Sequence, residues 1–162
     1  MANMGIPTAF HGGRLVWVAG LALLLGCRTP TEPPLANSLG AVWHVQQGQA
    51  IWHPGRGRPE LAGELLWASA SGGRSFVEFT KTPFSLVLAR RDPGRWRVEF
   101  PGAGRRFTGR GTPPTRFLWL YLGPALAGEA LPGHLKFERR PDGQWDLQNP
   151  RSGESLEGYL TP

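Results

Sequence analysis

Cys27 is the only cysteine in the chain and closes an apolar run, which makes its thiol the residue best placed for chemistry. A thiolate is a nucleophile, and a lone thiol without a disulfide partner needs a role of its own. The other reactive side chains have weaker settings. Gly153-Glu154-Ser155-Leu156-Glu157-Gly158 misses the Gly-x-Ser-x-Gly elbow of a serine nucleophile by one position and reads as a turn entering a strand. His44 and His53 have no cysteine or carboxylate at helpful spacing for a metal, and His134 follows a turn. Asp92 and Asp142 occupy turns, while Glu64, Glu78, Glu99 and Glu138 suit the wet face of strands, so no carboxylate pair for acid–base work stands out. The residues point away from an enzyme, a metal or a cofactor.

The elements around Cys27 are those of an export signal. Arg14 is the only charged side chain before it, and the apolar run Leu15 to Leu25 is well short of the roughly 20 residues of a membrane-spanning helix. A positive residue, a short apolar stretch and a small residue at the cut describe a secretory signal, starting at Met1 or at Met4. Leu24-Leu25-Gly26-Cys27 resembles the lipobox of bacterial lipoproteins, with leucine three before the cysteine and a small residue just before it. In that family the thiol is joined to diacylglycerol, the signal is removed, and the new amino terminus is acylated. The resemblance implies that residues 1–26 are a signal peptide and that Cys27 is the lipid-attachment site. Covalent diacylglycerol and an N-acyl chain would then bind the protein to a membrane, durably, since several chains hold where one is marginal. Arg28 stands where an aspartate would imply retention in an inner membrane. The expectation is therefore a cell-envelope protein on the outer membrane, facing the periplasm.

Residues 27–40 form the lipidated cysteine and a tether, because Arg28 to Asn37 is polar and proline-rich and buries little. Residues 41–162 are long enough for a single β-rich domain with one core. Sixteen of the 18 basic residues are arginine and the formal net charge is +6. That bias follows equally from a GC-rich genome, and the arginines are scattered, with no long basic run. It is read as a solvated surface that favours anionic lipid heads, not as a nucleic-acid interface.

Short runs with turn chemistry between them fill the domain. Six strands are expected over Trp43–Trp52, Leu61–Ser69, Ser75–Thr80, Phe84–Ala89, Trp96–Phe100 and Arg105–Arg110. Trp96-Arg97-Val98-Glu99-Phe100 alternates strictly, as a strand with one wet face does. Connections this short argue an antiparallel meander. Thr115 to Ala130 is apolar nearly all round and opens after Pro113-Pro114, which suits a helix covered by the sheet. Gly123-Pro124 should break or kink it, leaving a short helix and a looser turn to Leu131-Pro132-Gly133. Strands resume over His134–Arg139, Gln144–Gln148 and Ser155–Leu160. The fold class is mainly β with a helical segment (α+β): one curved antiparallel sheet, or open barrel, of about nine strands covered by a short helix.

This order of elements resembles the lipoprotein-sorting proteins of the Lol system, and among them the LolB-like receptors. The residues that carry it are the lipobox, Trp67 ending an early strand, Thr82-Pro83-Phe84 leading into Leu86-Val87-Leu88, and the helix at Leu118-Trp119-Leu120. Leu131-Pro132 and Gly143-Gln144-Trp145 complete the set. The resemblance implies an open barrel that binds lipid or lipoprotein acyl chains. Such receptors carry a protruding loop with an exposed apolar residue between early strands; here the connection Thr80 to Phe84 is tight, and Phe84 is expected in the core. Of the six tryptophans beyond the signal, core packing explains most, and some are candidates to line an apolar cavity between sheet and helix. The cavity residues expected are Trp67, Phe79, Trp96, Phe117, Trp119, Leu120 and Trp145. The alternative is a structural or assembly lipoprotein that binds envelope protein partners, with a filled interior and an exposed apolar patch.

Overall fold

A computed structural model describes residues 42–55 and 57–161. The signal, Cys27 and the tether lie outside these residues. The unit Gly40–Pro162 is compact in itself.

Nine strands form one antiparallel sheet: β1 (Trp43–His53), β2 (Leu61–Ala70), β3 (Arg74–Lys81), β4 (Phe84–Asp92), β5 (Arg95–Phe100), β6 (Arg105–Arg110), β7 (Lys136–Arg139), β8 (Gln144–Asn149) and β9 (Glu154–Leu160). Their spatial order is β6-β5-β4-β3-β2-β1-β9-β8-β7. Six strands meander outward from β1, and the last three return to its other edge, so Ala50 pairs with Gly63 on one side and Gly158 on the other. The sheet ends on β6 and β7 and does not close. Each expected strand is present, most of them a residue or two longer.

Among the described residues one α-helix, α1 (Trp119–Leu126), joins β6 to β7, and all eight of its residues are buried. It packs against β2, β3, β4 and β5. The chain bends into it through Leu120 N–H to Phe117 C=O and Tyr121 N–H to Leu118 C=O bonds of 3.0 and 2.9 Å. The helix runs through Gly123-Pro124 instead of stopping before the pair, which corrects the expectation of a break there. Two facts explain it. The ring of Pro124 already fixes a helical φ, and Gly123 sits so close to β3 that a Cβ would lie 2.7 Å from the Ser75 Cβ. Packing against the sheet thus offsets the missing N–H of Pro124. Three bonds, Ala127 N–H to Gly123, Gly128 N–H to Ala125 and Glu129 N–H to Pro124, close the helix at 2.9–3.0 Å.

The core lies between the inner face of the sheet and α1. Leu65, Val77, Phe79, Val87, Val98, Leu147 and Leu156 supply the sheet side, and Leu118 to Leu122 the helix side. Alternation along each strand sends the intervening residues to the outer face.

Candidate functional site

Seven rings fill the space between sheet and helix in one continuous chain of contacts. It runs Trp96–Phe117–Phe107–Phe100–Trp52–Trp119–Phe79, with centroids 4.9 to 6.4 Å apart. Phe79 stacks on Trp119 at 5.0 Å. Of the expected cavity residues, Phe79, Trp96, Phe117 and Trp119 belong to this chain, and Leu120 is buried beside it. Trp67 lies on β2 with its Nε1 facing Gly123 of α1. Trp52, Phe100 and Phe107 join the cluster without having been singled out, because each stands in a strand whose neighbours across the sheet are not visible from spacing.

Trp145 is set apart. Its ring covers Gly158, where a Cβ would meet it at 2.8 Å, and it borders a half-open hollow of about 570 Å³. This hollow crosses one row of the sheet: Thr80 to Thr82, Ala62 to Glu64, Gln49 to Ile51, Glu157 to Tyr159, then Gln144 and Arg140. Ala50 and Trp145 are only 2% exposed and contribute almost nothing to its surface. Gln49, Ile51, Ala62, Glu64, Glu157 and Tyr159 alternate with the core-facing residues, so the hollow opens on the outer face. The small residues of this row, Ala50, Gly63 and Gly158, let the strands crowd: a Cβ on Gly63 would lie 2.4 Å from the Thr80 carbonyl oxygen.

The β3–β4 turn bounds one end of the hollow, through Lys81 and Thr82. Phe84, opposite Lys81 in the register, is 70% exposed. The expectation that Phe84 is core is therefore corrected. Its hydrophobicity argues for burial, but the tight turn at Thr82-Pro83 leaves it on the first position of β4, past the reach of the core. Tyr159, 41% exposed, adds a second apolar surface on the hollow itself.

Polar groups converge at two further places. His53 lies between Glu60, 3.6 Å from Nδ1, and Glu157, 3.7 Å from Nε2; its spacing in sequence gave no sign of either carboxylate. The two acids flank opposite ring nitrogens and do not converge on one point. Glu154 is the other. It is 9% exposed, and its carboxylate accepts from Trp52 Nε1 at 2.9 Å and from the Leu118 backbone N–H at the start of α1. Burial pushes its carboxyl up to about 7, against the opposing pull of the Trp52 hydrogen bond and of Arg58. Beside it Asn149 donates to the Thr115 carbonyl at 3.0 Å, and the Tyr121 hydroxyl donates to the Pro113 carbonyl. These bonds fasten the irregular segment leading into α1. Ser155 lies within β9, in an extended strand and not at an elbow.

No protein-family model matches the chain, and no curated protein matches it in sequence. Among the described residues, no helix is long and apolar enough to cross a membrane.

Proposed function

We propose that the chain is a lipid-anchored, non-enzymatic protein of the cell envelope whose domain presents the outer hollow and the Phe84 turn to a protein partner. One observation carries this reading: the interior is occupied by touching rings, while an open hollow lies outside it and the exposed Phe84 follows the turn that bounds one end of that hollow. Exposed apolar side chains grouped beside a hollow mark contact surfaces more often than solvated ones. The tether and the Cys27 anchor would hold that surface within reach of other envelope proteins. Two experiments test it. Radiolabelled palmitate should enter the wild-type chain and not Cys27→Ser; equal labelling removes the anchor. A photo-crosslinking residue at Phe84 or Thr82 should trap a defined partner in intact cells, whereas one at Glu138 on β7 should not. The same adducts from all three positions, or none, would remove the docking surface.

A second reading keeps the LolB-like receptor, with acyl chains of lipids or lipoproteins as the ligand. It is favoured by the exposed Phe84 on a connection between early strands, and by the indole N–H groups of Trp119 and Trp145. Both are buried and without an acceptor among the described residues, and leaving a buried donor unpaired is costly. An acyl carbonyl between sheet and helix would supply an acceptor, at the cost of displacing rings or α1. Acyl chains carrying bromine quench tryptophan on contact. Saturable quenching would favour this reading over the first, and no quenching would end it.

A further inference from the structure

We infer that the outer face of β4, β5 and β6 is a second membrane contact, made to anionic lipid headgroups. Val87, Ala89, Trp96, Val98 and Phe107 face the core, so alternation turns Arg90, Arg95, Arg97, Arg106 and Arg110 outward together. The acidic residues of these strands that share that face are Asp92 and Glu99. Asp92 is held by Arg90 at 2.9 and 3.2 Å, and Glu99 lies between Arg97 and Arg106. Arg95 and Arg110 make no ion pair among the described residues, although Asp92 stands across from Arg95 on β4, and the two arginines are directly opposite each other on β5 and β6. Arg90 and Arg97 are likewise paired across β4 and β5. Like charges directly opposite in an antiparallel pair destabilise it. Protecting an exposed sheet edge needs a charge, but it does not need facing arginines on successive strands. Five arginines against two carboxylates leave this face positively charged beyond what its own ion pairs neutralise, and an anionic surface would supply the missing partners.

The outer face is also polarised. The hollow carries both signs, Glu64 and Glu157 with Lys81 and Arg140, while the β6 edge carries an excess of arginine. A bilayer bearing phosphate headgroups would attract that edge. Guanidinium groups suit this task, since they bind phosphate oxygens in pairs and remain charged. The inference rests on the tethered-domain reading only for the presence of a membrane nearby, and its test does not use Cys27.

The unit of residues 40–162 has its own core and is the material to use. Sedimentation with vesicles should show binding to phosphatidylcholine mixed with phosphatidylglycerol, and none to phosphatidylcholine alone. Rising salt should abolish it. A basic residue near an anionic surface is worth about 1 kcal/mol, so R95Q/R110Q should weaken partitioning roughly 30-fold. K136Q/R139Q, on the opposite edge strand, should change it little. Equal binding to both vesicle types, or none to either, overturns the inference. So does an equal loss in the K136Q/R139Q control, which would reduce the effect to overall charge. Binding to a soluble polyanion such as heparin without binding to the mixed vesicles would also overturn it, in favour of another anionic partner.

Discussion

Replacing Glu154 with glutamine should remove most of the pH dependence of stability that this buried carboxyl imposes. The side chain is 9% exposed and sits where β9 meets Trp52 and the start of α1. Burial raises its carboxyl from 4.5 to about 7, with the Trp52 hydrogen bond, Arg58 and the Leu118 N–H acting the other way. A group whose affinity for the proton is higher folded than unfolded stabilises the fold at low pH, and that contribution is lost as pH rises through its folded value. Each tenfold difference in proton affinity is worth about 1.4 kcal/mol, so the whole interval from 4.5 to about 7 amounts to about 3 kcal/mol. Glutamine is neutral at every pH and retains an oxygen to accept the Trp52 N–H. In urea titrations, wild type and Glu154→Gln should be close in stability near pH 4.5. The variant should then gain on wild type as pH rises, until it leads by about 3 kcal/mol above pH 8. Other groups titrate in this range, but their effect is common to both proteins and cancels in the difference. Parallel stability curves from acid to mildly alkaline pH would refute the reasoning. They would mean that the carboxylate is already accommodated by its hydrogen bonds and by Arg58.

Three other substitutions probe the packing and the surface. Trp119→Ala removes a ring that is 1% exposed and touches both Phe79 and Trp52; chemical denaturation should show a loss of roughly 3–5 kcal/mol. Gly123→Ala places a Cβ within 2.7 Å of Ser75 and should cost about 1–3 kcal/mol, with Ser75→Gly in the same chain recovering much of it. If the single change is neutral, α1 does not lie this close to β3. Phe84→Ser should leave stability within about 0.5 kcal/mol, because the ring is largely solvated. A loss of several kcal/mol on denaturation would return Phe84 to the core.

The strands were legible because each depends on local chemistry. Trp96 to Phe100 alternates with one wet face, and Asp92-Pro93-Gly94 marks the turn before it, so neither needs information from elsewhere in the chain. The departures all involve residues that come together across the sheet. The helix passes Gly123-Pro124 because Ser75, 48 positions earlier, leaves room only for glycine there. His53 meets Glu60 and Glu157 from three separate segments. The hollow is lined from five strands that only the register brings side by side, with Gln49, Glu64 and Tyr159 in one row, a matter that composition does not reveal. Phe84 shows the same limit from the other direction. Its residue type predicts burial, yet its place beside a tight turn puts it in solvent, and only there can it meet something outside the domain. The candidate surface is thus built from residues that break the local rules, in keeping with the general finding that function is sited where folding preferences are overridden. The facing arginines of β5 and β6 break them in the same way, leaving positive charge that the two carboxylates of that face do not balance.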